Sequence, residues 1–361
     1  MFLTLREFRY SKLRYFLIGC IMILIAWLVF IISGLAQGLA ADNAAAIDKM
    51  KVDRFLIQSD AEQKLNRSVI TPKQWQNVSA LVPKNAATPF GQKMLSVSKN
   101  GTAHKQDVAL FAIDAASSLA PKVLEGKSLT NTTKGEVVVN QSLKEAGIQL
   151  GDFIQDFETD QKWKVVGFAN GQSYSHAPVI FINLNDWNRL TKNLYYNAIA
   201  LQVNQIDPSS ITGKVKDVTI INKDQLLQNI PGFKEEQGSL TMMITFLFVI
   251  ASFVQAVFFY VMTLQKTHQF GVLKAIGANT SYLARSLITQ VGLLTIIAIL
   301  CSLVFSYLTQ MLLPSNIPFQ LNIDTDIQFS ALFLGVSLIG SLLSLYQIAK
   351  VDALEAIGRI E

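Results

Sequence analysis

Charged residues and cysteine are both scarce in this 361-residue chain, and each scarcity excludes a kind of protein. Asp, Glu, Lys and Arg make up 16% of the residues, against 50% hydrophobic residues, whereas about 25% charged residues is usual for a soluble domain. Such a composition indicates long segments that face lipid rather than water. The two cysteines, Cys20 and Cys301, lie inside apolar runs without metal-ligand spacing. They are poor disulfide candidates and are interpreted as small apolar side chains.

Motifs for catalysis or nucleotide hydrolysis are also missing. The three histidines are scattered, and no Gly-x-Ser-x-Gly sequence is present. The nearest match to a phosphate-binding loop is PKVLEGKS, residues 121–128, in which Pro121 replaces the first glycine. A membrane-tethered hydrolase using Ser175 and His176 is a weak alternative, because adjacent side chains seldom face each other. We expect a non-catalytic protein without an intrinsic cofactor or metal.

Four apolar stretches stand out, and each is long enough to cross a bilayer, which takes about 20 helical residues. The first is too long for the apolar core of a cleaved signal peptide, about 7–15 residues, so we expect the chain to keep it. The predicted division is a cytoplasmic basic segment (1–14), a first span (15–41), an extracytoplasmic domain (42–236), a second span (237–265), a cytoplasmic loop (266–285), a third span (286–313), an outer loop (314–326), a fourth span (327–349) and a cytoplasmic tail (350–361).

The short loops predict the orientation, because Lys and Arg in short loops stay on the cytoplasmic side. Residues 1–14 carry four basic side chains and one acid, and the 266–285 loop carries three basic side chains and no acid. The 314–326 loop has two acids and no base. We therefore expect a multi-pass protein of the cell membrane with both termini in the cytoplasm. No basic run with interleaved aromatic residues indicates nucleic acid as a partner.

The large segment between the first two spans mixes the patterns of strands and helices, so we expect an α+β domain inserted between them. Runs rich in Val and Ile, bounded by Gly, Asn or Pro, predict strands, and a Thr-Pro pair at Thr71 predicts a helix start. The predicted strands are 136–140, 163–168, 179–183 and 198–204, and the predicted helices are 71–81, 140–146, 185–190 and 222–230.

The 266–285 loop, KTHQFGVLKAIGANTSYLAR, contains the most specific pattern of the chain. It predicts a short helix over 270–276 that Gly277 ends. Phe270, Leu273 and Ile276 are spaced to share one helical face. Such a helix either lies on the lipid surface or docks in a groove of a cytoplasmic partner.

Within this loop QFGVLKAIGA, residues 269–278, resembles the signature of FtsX/MacB-type ABC permeases, E-[IF]-G-[VI]-[LRM]-[KR]-A-[IL]-G-[AM], although Gln269 stands where that family usually has Glu. The closing VDALEAIGR at 351–359 and the layout of one span, a large domain and three spans are similar too. The resemblance implies a homodimer that binds two copies of a separate ATPase, which holds the ATP and Mg²⁺. It implies that the ATPase is contacted through Gln269, Phe270, Gly271, Leu273, Lys274, Ile276 and Gly277.

The N-terminal MFLTLREFRYSKLRYFLIG looks most like the HrtB/DevC branch of these permeases. HrtB-like permeases export haem from Gram-positive bacteria, and DevC-like permeases serve glycolipid export. The Lys- and Asn-rich domain favours a Firmicute source and hence haem as cargo. A glycolipid, a lipoprotein or an antimicrobial peptide are alternative cargoes. An FtsX-like transmitter that signals to a cell-wall hydrolase, or a receptor without an ATPase, are alternatives of a different class.

Haem is flat and apolar and would partition into lipid, so we expect its site between the first two spans at the outer leaflet. Met sulfur can ligate haem iron, but apolar gap filling is the plainer interpretation of the two methionines there. The expected residues are Gln37, Phe233, Met242, Met243 and Phe246. Gly34 and Gly38 form a GxxxG motif that allows close helix approach, either to a second copy or to the chain's own second span.

Overall fold

The computed structural model describes residues 12–83, 85–100, 104–159, 161–191, 195–202, 208–314 and 317–350, without the side chains of residues 14, 208 and 342–350. The chain divides into two compact units. We call residues up to 38 and from 238 onwards the helical unit, and residues 39–237 the inserted domain. The predicted basic residues before 12 and the closing segment 351–359 lie outside the described residues.

Four long helices carry the apolar stretches, and in the part of the chain described here each contains a segment long and apolar enough to cross a membrane. The first helix continues past the predicted end of the span at residue 41. Residues 42–48 include polar side chains, but their alanines favour helix outside the membrane as well. The third begins earlier than predicted, where Asn279 caps it. The helices are Lys12–Asp48, Phe233–Gln265, Thr280–Leu312 and Ile323–Lys350.

Inside the helical unit, small polar side chains allow the helices to pack closely. The hydroxyl of Ser302, on the third helix, donates to the carbonyl of Ile23 on the first at 2.8 Å. The rings of Trp27 and Phe305 meet edge to face at 6.3 Å. The second helix packs on the fourth, where the rings of Phe248 and Phe329 lie 5.7 Å apart. In a bilayer such polar contacts and close packing hold helices together, since burial from water no longer drives their association.

The inserted domain is α+β, as predicted, and its described strands form one mixed sheet in the order β11-β1-β10-β2-β3-β9-β5-β7-β4, with β6 beside β2 and β7 and β8 beside β9. The β3–β9 and β5–β7 pairs are parallel and the other pairs antiparallel. The strands are β1 Arg54–Gln58, β2 Ala87–Lys99, β3 Gln106–Ile113, β4 Val123–Gly126, β5 Glu136–Asn140, β6 Phe153–Asp156, β7 Lys162–Ala169, β8 Ser173–Tyr174, β9 Ala177–Asn183, β10 Ala198–Leu201 and β11 Val218–Asn222. Between the first and second long helices, the domain contains the α-helices Pro72–Leu81, Leu184–Leu190, Pro208–Thr212 and Lys223–Gln228.

The central strands of the sheet are buried on both faces, and one of them, β3, escapes sequence prediction because it lacks the run of Val and Ile found in β5 and β9. Ala109, Phe111 and Ile113 of β3 join one core cluster, while the alternate residues Leu110 and Ala112 join another. A strand buried on both sides shows no apolar–polar alternation and cannot be told from a buried helix by its pattern. The four predicted strands are present, and β5 has the predicted bounds.

Among the predicted helices, the start at Thr71 is confirmed by a capping box in which Thr71 and Gln74 satisfy each other's backbone donors. The helices predicted at 185–190 and 222–230 are present as Leu184–Leu190 and Lys223–Gln228. The helix predicted over 140–146 is wrong, because β5 extends to Asn140 and a four-residue 3₁₀ turn follows it before Gly147 turns the chain at φ +83°.

Candidate functional site

A connecting helix, Thr267–Ala275, links the second and third long helices and carries the signature-like sequence. It begins three residues before the predicted start at 270. Its end follows the Schellman pattern of a glycine stop: Gly277 has φ +99°, its N–H donates to the carbonyl of Lys274, and the N–H of Ala278 donates to the carbonyl of Leu273, both at 2.9 Å. The role predicted for Gly277 as the helix stop is confirmed.

The predicted apolar face of this helix is divided in the structure. Phe270 is 5% exposed and packs with Leu283 and Leu287 of the third long helix, and Leu273 is partly buried against the same cluster. Ile276 is 79% exposed instead. The shared face is wrong because successive residues of an α-helix are about 100° apart, which places Ile276 about 120° around the helix from Phe270, although Leu273 lies between them. Phe270 and Leu273 therefore anchor the connecting helix on the chain itself.

The side of the connecting helix that points away from the third helix is open. Gln269, Val272 and Ile276 are exposed there, at spacings of three and four residues that place them on one side. We call these three residues the exposed face. Of the other residues that the resemblance singled out, Gly277 is exposed, Lys274 is half-buried and Gly271 is buried. The exposed face, together with Gly277, is thus available to another protein.

Lys266, between the second long helix and the connecting helix, is buried in a polar cluster that the sequence does not reveal. Its Nζ donates to the hydroxyl of Tyr15 at 2.8 Å and to Oε1 of Gln290 at 3.2 Å, and the Tyr15 hydroxyl donates to the same Oε1 at 3.2 Å. A buried ammonium group needs such acceptors. The sequence indicates Lys266 only as a basic loop residue, because its partners lie 251 and 24 positions away. The cluster joins the first and third helices to the start of the connecting helix.

The residues predicted to bind cargo lie in different surroundings. Met242, Met243 and Phe246 are exposed on the second long helix, with Met242 at 59%. The amide of Gln37 is half-buried and donates to the Ser33 hydroxyl one turn earlier at 3.2 Å. Phe233 is partly buried against the core of the inserted domain. Three of the five side chains are therefore open to lipid or cargo, whereas Phe233 serves domain packing.

The GxxxG pair faces a different partner from the two considered from the sequence. A Cβ added to Gly34 would lie 2.5 Å from the Phe319 ring, and one added to Gly38 would lie 2.1 Å from the carbonyl oxygen of Pro318. The N–H of Gln320 donates to the carbonyl of Gly34 at 3.0 Å. The two glycines thus pack against residues 318–321 of the chain's own loop.

The hydrolase alternative finds no support in the inserted domain. Ser175 and His176 form the two-residue turn between β8 and β9, with φ +50° and +59°. His176 faces carboxylates: its Nδ1 lies 3.1 Å from Asp42 and its Nε2 lies 3.4 Å from Glu236. The PKVLEGKS segment, residues 121–128, contributes Val123–Gly126 to strand β4 and does not form a phosphate-binding turn there. Within the described residues, no group of three His, Cys, Asp or Glu side chains could hold a metal ion.

Comparison with known proteins places these features in a family. The FtsX-like permease C-terminal family matches residues 241–353. The chain is 32% identical over 358 residues to HrtB of Staphylococcus epidermidis (strain ATCC 12228), covering 99% of both chains, and 30% identical over 361 residues to HrtB of Staphylococcus haemolyticus, covering 100% of both. Both relatives carry names that assign them to hemin transport as permeases. An uncharacterised ABC transporter permease of Mycobacterium tuberculosis is 22% identical over 360 residues, covering 99% of each chain.

Among solved structures, the periplasmic region of MacB from Actinobacillus actinomycetemcomitans is similar, with 16% identity, 53% of this chain and 96% of that chain covered, and a TM-score of 0.38. The extracellular domain of the transporter YknZ covers 49% of this chain and 92% of its own, with 15% identity and a TM-score of 0.33. The full-length sequence matches and the four candidate spans show that this chain is a multi-pass protein of the FtsX/MacB-type ABC transporter permease family, in the branch that contains HrtB.

Proposed function

We propose that this chain is the permease of a haem exporter, which couples ATP hydrolysis by a separate ATPase to release of haem from the membrane. The observation that carries the proposal is the similarity to HrtB over the full length of both chains. In this proposal the connecting helix and both termini are cytoplasmic and the inserted domain lies outside, as the basic short loops indicate. Two permease copies bind two ATPase subunits, which hold the ATP and Mg²⁺.

The contacts of the connecting helix suggest how the ATPase acts on the permease. The ATPase binds the exposed face, Gln269, Val272 and Ile276. A displacement of the helix reaches the third long helix through Phe270, which is packed on it. It reaches the first long helix through the hydrogen bond from Lys266 to Tyr15. Coupling of this kind needs a rigid element with two arrangements, and a short helix anchored at its start by Lys266 and Phe270 satisfies the first requirement.

The cargo site that we propose lies on the second long helix at the outer leaflet. Met242, Met243 and Phe246 offer thioether and ring surface outside the packed interior, which suits a flat apolar molecule. A methionine sulfur can also ligate haem iron. Gln37 on the first long helix provides an amide donor for a carboxylate edge. Phe233 is not included, because it packs in the inserted domain.

Haem titration of the permease–ATPase complex in lipid nanodiscs tests the cargo. We expect a saturable shift of the Soret band together with a change in ATP turnover. Replacing both Met242 and Met243 with Ala should weaken haem binding about tenfold or more, which corresponds to roughly 1.4 kcal/mol. The matched control is Met311→Ala, because Met311 is also a highly exposed methionine, on the third long helix. An active complex with no shift and unchanged turnover would exclude haem, keep the exporter, and direct the search to glycolipids, lipoproteins and peptides.

Lys266→Met tests the coupling route. The exposed face is unchanged, so the ATPase should still co-purify. Haem stimulation of ATP turnover should fall several-fold, because the hydrogen bonds from Lys266 to Tyr15 and Gln290 are lost. Lys73→Met, the same change at an exposed lysine of the inserted domain, is the control. Haem stimulation equal to that of the unmodified complex in Lys266→Met would show that coupling does not pass through Lys266.

A further inference from the structure

A groove of 430 Å³ lies between the third and fourth long helices, entirely within the helical unit. Eight of its eleven lining residues are Ile, Leu or Ala, and the three polar exceptions are Tyr307, Asp326 and Ser330. An apolar groove on membrane helices is expected to be filled by acyl chains, since lipid surrounds the helices at this depth. Acyl chains do not account for the carboxylate of Asp326 in this lining.

Asp326 is a buried acid with an incomplete set of hydrogen bonds. The residue is 4% exposed, its Oδ2 accepts from the Tyr307 hydroxyl at 3.4 Å, and its Oδ1 has no donor among the described residues. A carboxylate held away from water with an unpaired oxygen is costly, and ionisable groups within spanning helices usually have a functional partner. Asp324, in the same first turn, is exposed. An acid in the first turn stabilises the helix N-terminus from an exposed position, as Asp324 can do. This effect therefore does not explain why Asp326 is buried.

The length of the groove matches one acyl chain in one leaflet. Its lining runs from Ile296 to Tyr307 on the third helix and from Ile323 to Leu334 on the fourth. The eleven steps between the first and last of these helical residues correspond to about 16 Å, close to half of the roughly 30 Å hydrocarbon core. Tyr307 lies near the end of the third helix and Asp326 near the start of the fourth, so both polar groups belong to the same end of the groove. The groove is apolar along one leaflet and acidic at one end.

We propose that this groove binds a phospholipid whose headgroup carries a free ammonium group. The ammonium donates to the Asp326 carboxylate in a charge-assisted hydrogen bond and supplies the donor that Oδ1 lacks among the described residues. Rotation about the Cβ–Cγ bond, which is broad and two-fold for Asp, lets either oxygen meet this donor. The acyl chain lies along Ile296, Leu300 and Leu303. A lipid with only a phosphate and hydroxyl groups in its head offers no cation to the carboxylate, so the site discriminates by headgroup charge. The proposal is independent of the cargo.

Lipid retention by the full-length permease tests it. The protein is equilibrated in nanodiscs of equal phosphatidylethanolamine and phosphatidylglycerol with identical acyl chains, then released, and its retained lipids are quantified by native mass spectrometry. We expect phosphatidylethanolamine to be enriched about tenfold over phosphatidylglycerol. Asp326→Asn should abolish this preference. Asp324→Asn, the matched change at the exposed acid of the same helical turn, should keep it.

A second variant keeps the test decisive if Asp326→Asn does not fold. Ala331→Phe fills the groove from an exposed position while leaving the carboxylate in place, and it should lower the retention of phosphatidylethanolamine at least several-fold. Equal retention of both lipids by the unmodified protein overturns the proposal. Undiminished preference in folded Asp326→Asn, or undiminished retention in Ala331→Phe, overturns it as well.

Discussion

Replacing Ile276 with aspartate should release the ATPase from a permease that stays folded. Ile276 is largely exposed just after the connecting helix, so a charge there costs the isolated permease little. In the proposed complex the same side chain is buried against the ATPase. Loss of a buried Ile side chain weakens the free energy of ATPase binding by about 1.5–3 kcal/mol. Burial of the unpaired aspartate carboxylate in the interface adds a desolvation cost. We expect co-purification of the ATPase to fall by more than tenfold, measured on the complex extracted in detergent.

Two further variants show what an Ile276→Asp result would mean. Val69→Asp makes the same kind of change at an exposed β-branched residue of the inserted domain and should leave ATPase binding unaltered. Phe270→Asp places a carboxylate in the cluster with Leu283 and Leu287 and should lower the melting temperature of the permease itself, so it cannot report on docking alone. ATPase retention by Ile276→Asp at the level of the unmodified protein would show that the exposed face is not the docking site.

Gly38→Ala should destabilise the helical unit, although alanine favours helix over glycine. The new methyl group would lie 2.1 Å from the Pro318 carbonyl oxygen, so the backbone of the loop has to move. Overpacking of this kind costs typically about 1–3 kcal/mol. Thermal unfolding of the purified permease, followed by tryptophan fluorescence and by aggregation, measures the effect.

Gly19→Ala, on the same helix, is the matched control. A Cβ there meets only Leu294 Cδ2 at 3.7 Å, an ordinary contact, so the variant should be as stable as the unmodified protein or more stable by up to about 1 kcal/mol. If Gly38 instead served contact between two copies, Gly38→Ala would lower crosslinking between copies and leave the unfolding temperature unchanged. That result would contradict the packing of the glycine on residues 318–319.

Local and compositional features of the chain are visible in the sequence. The four spans follow from the length of the apolar runs, and the Thr71 capping box and the Gly277 stop follow from residues within a few positions of each other. The signature-like 269–278 sequence indicates the family because its residues are contiguous. Strand β3 is not visible, since burial on both faces removes the alternation that marks a strand and its sequence lacks the run of Val and Ile that marks β5.

The sequence by itself determined the number of spans, the α+β class of the inserted domain and membership of a permease family, because each depends on composition, local periodicity or contiguous motifs. Only the tertiary structure decided which side chains of those elements are available. It buried Phe270 and exposed Ile276, gave Gly38 a loop as its neighbour, joined Lys266 to Tyr15, and left Asp326 beside an apolar groove. Each of these outcomes depends on contacts between elements that are far apart in the sequence. Such contacts cannot be inferred from the spacing of residues along the chain.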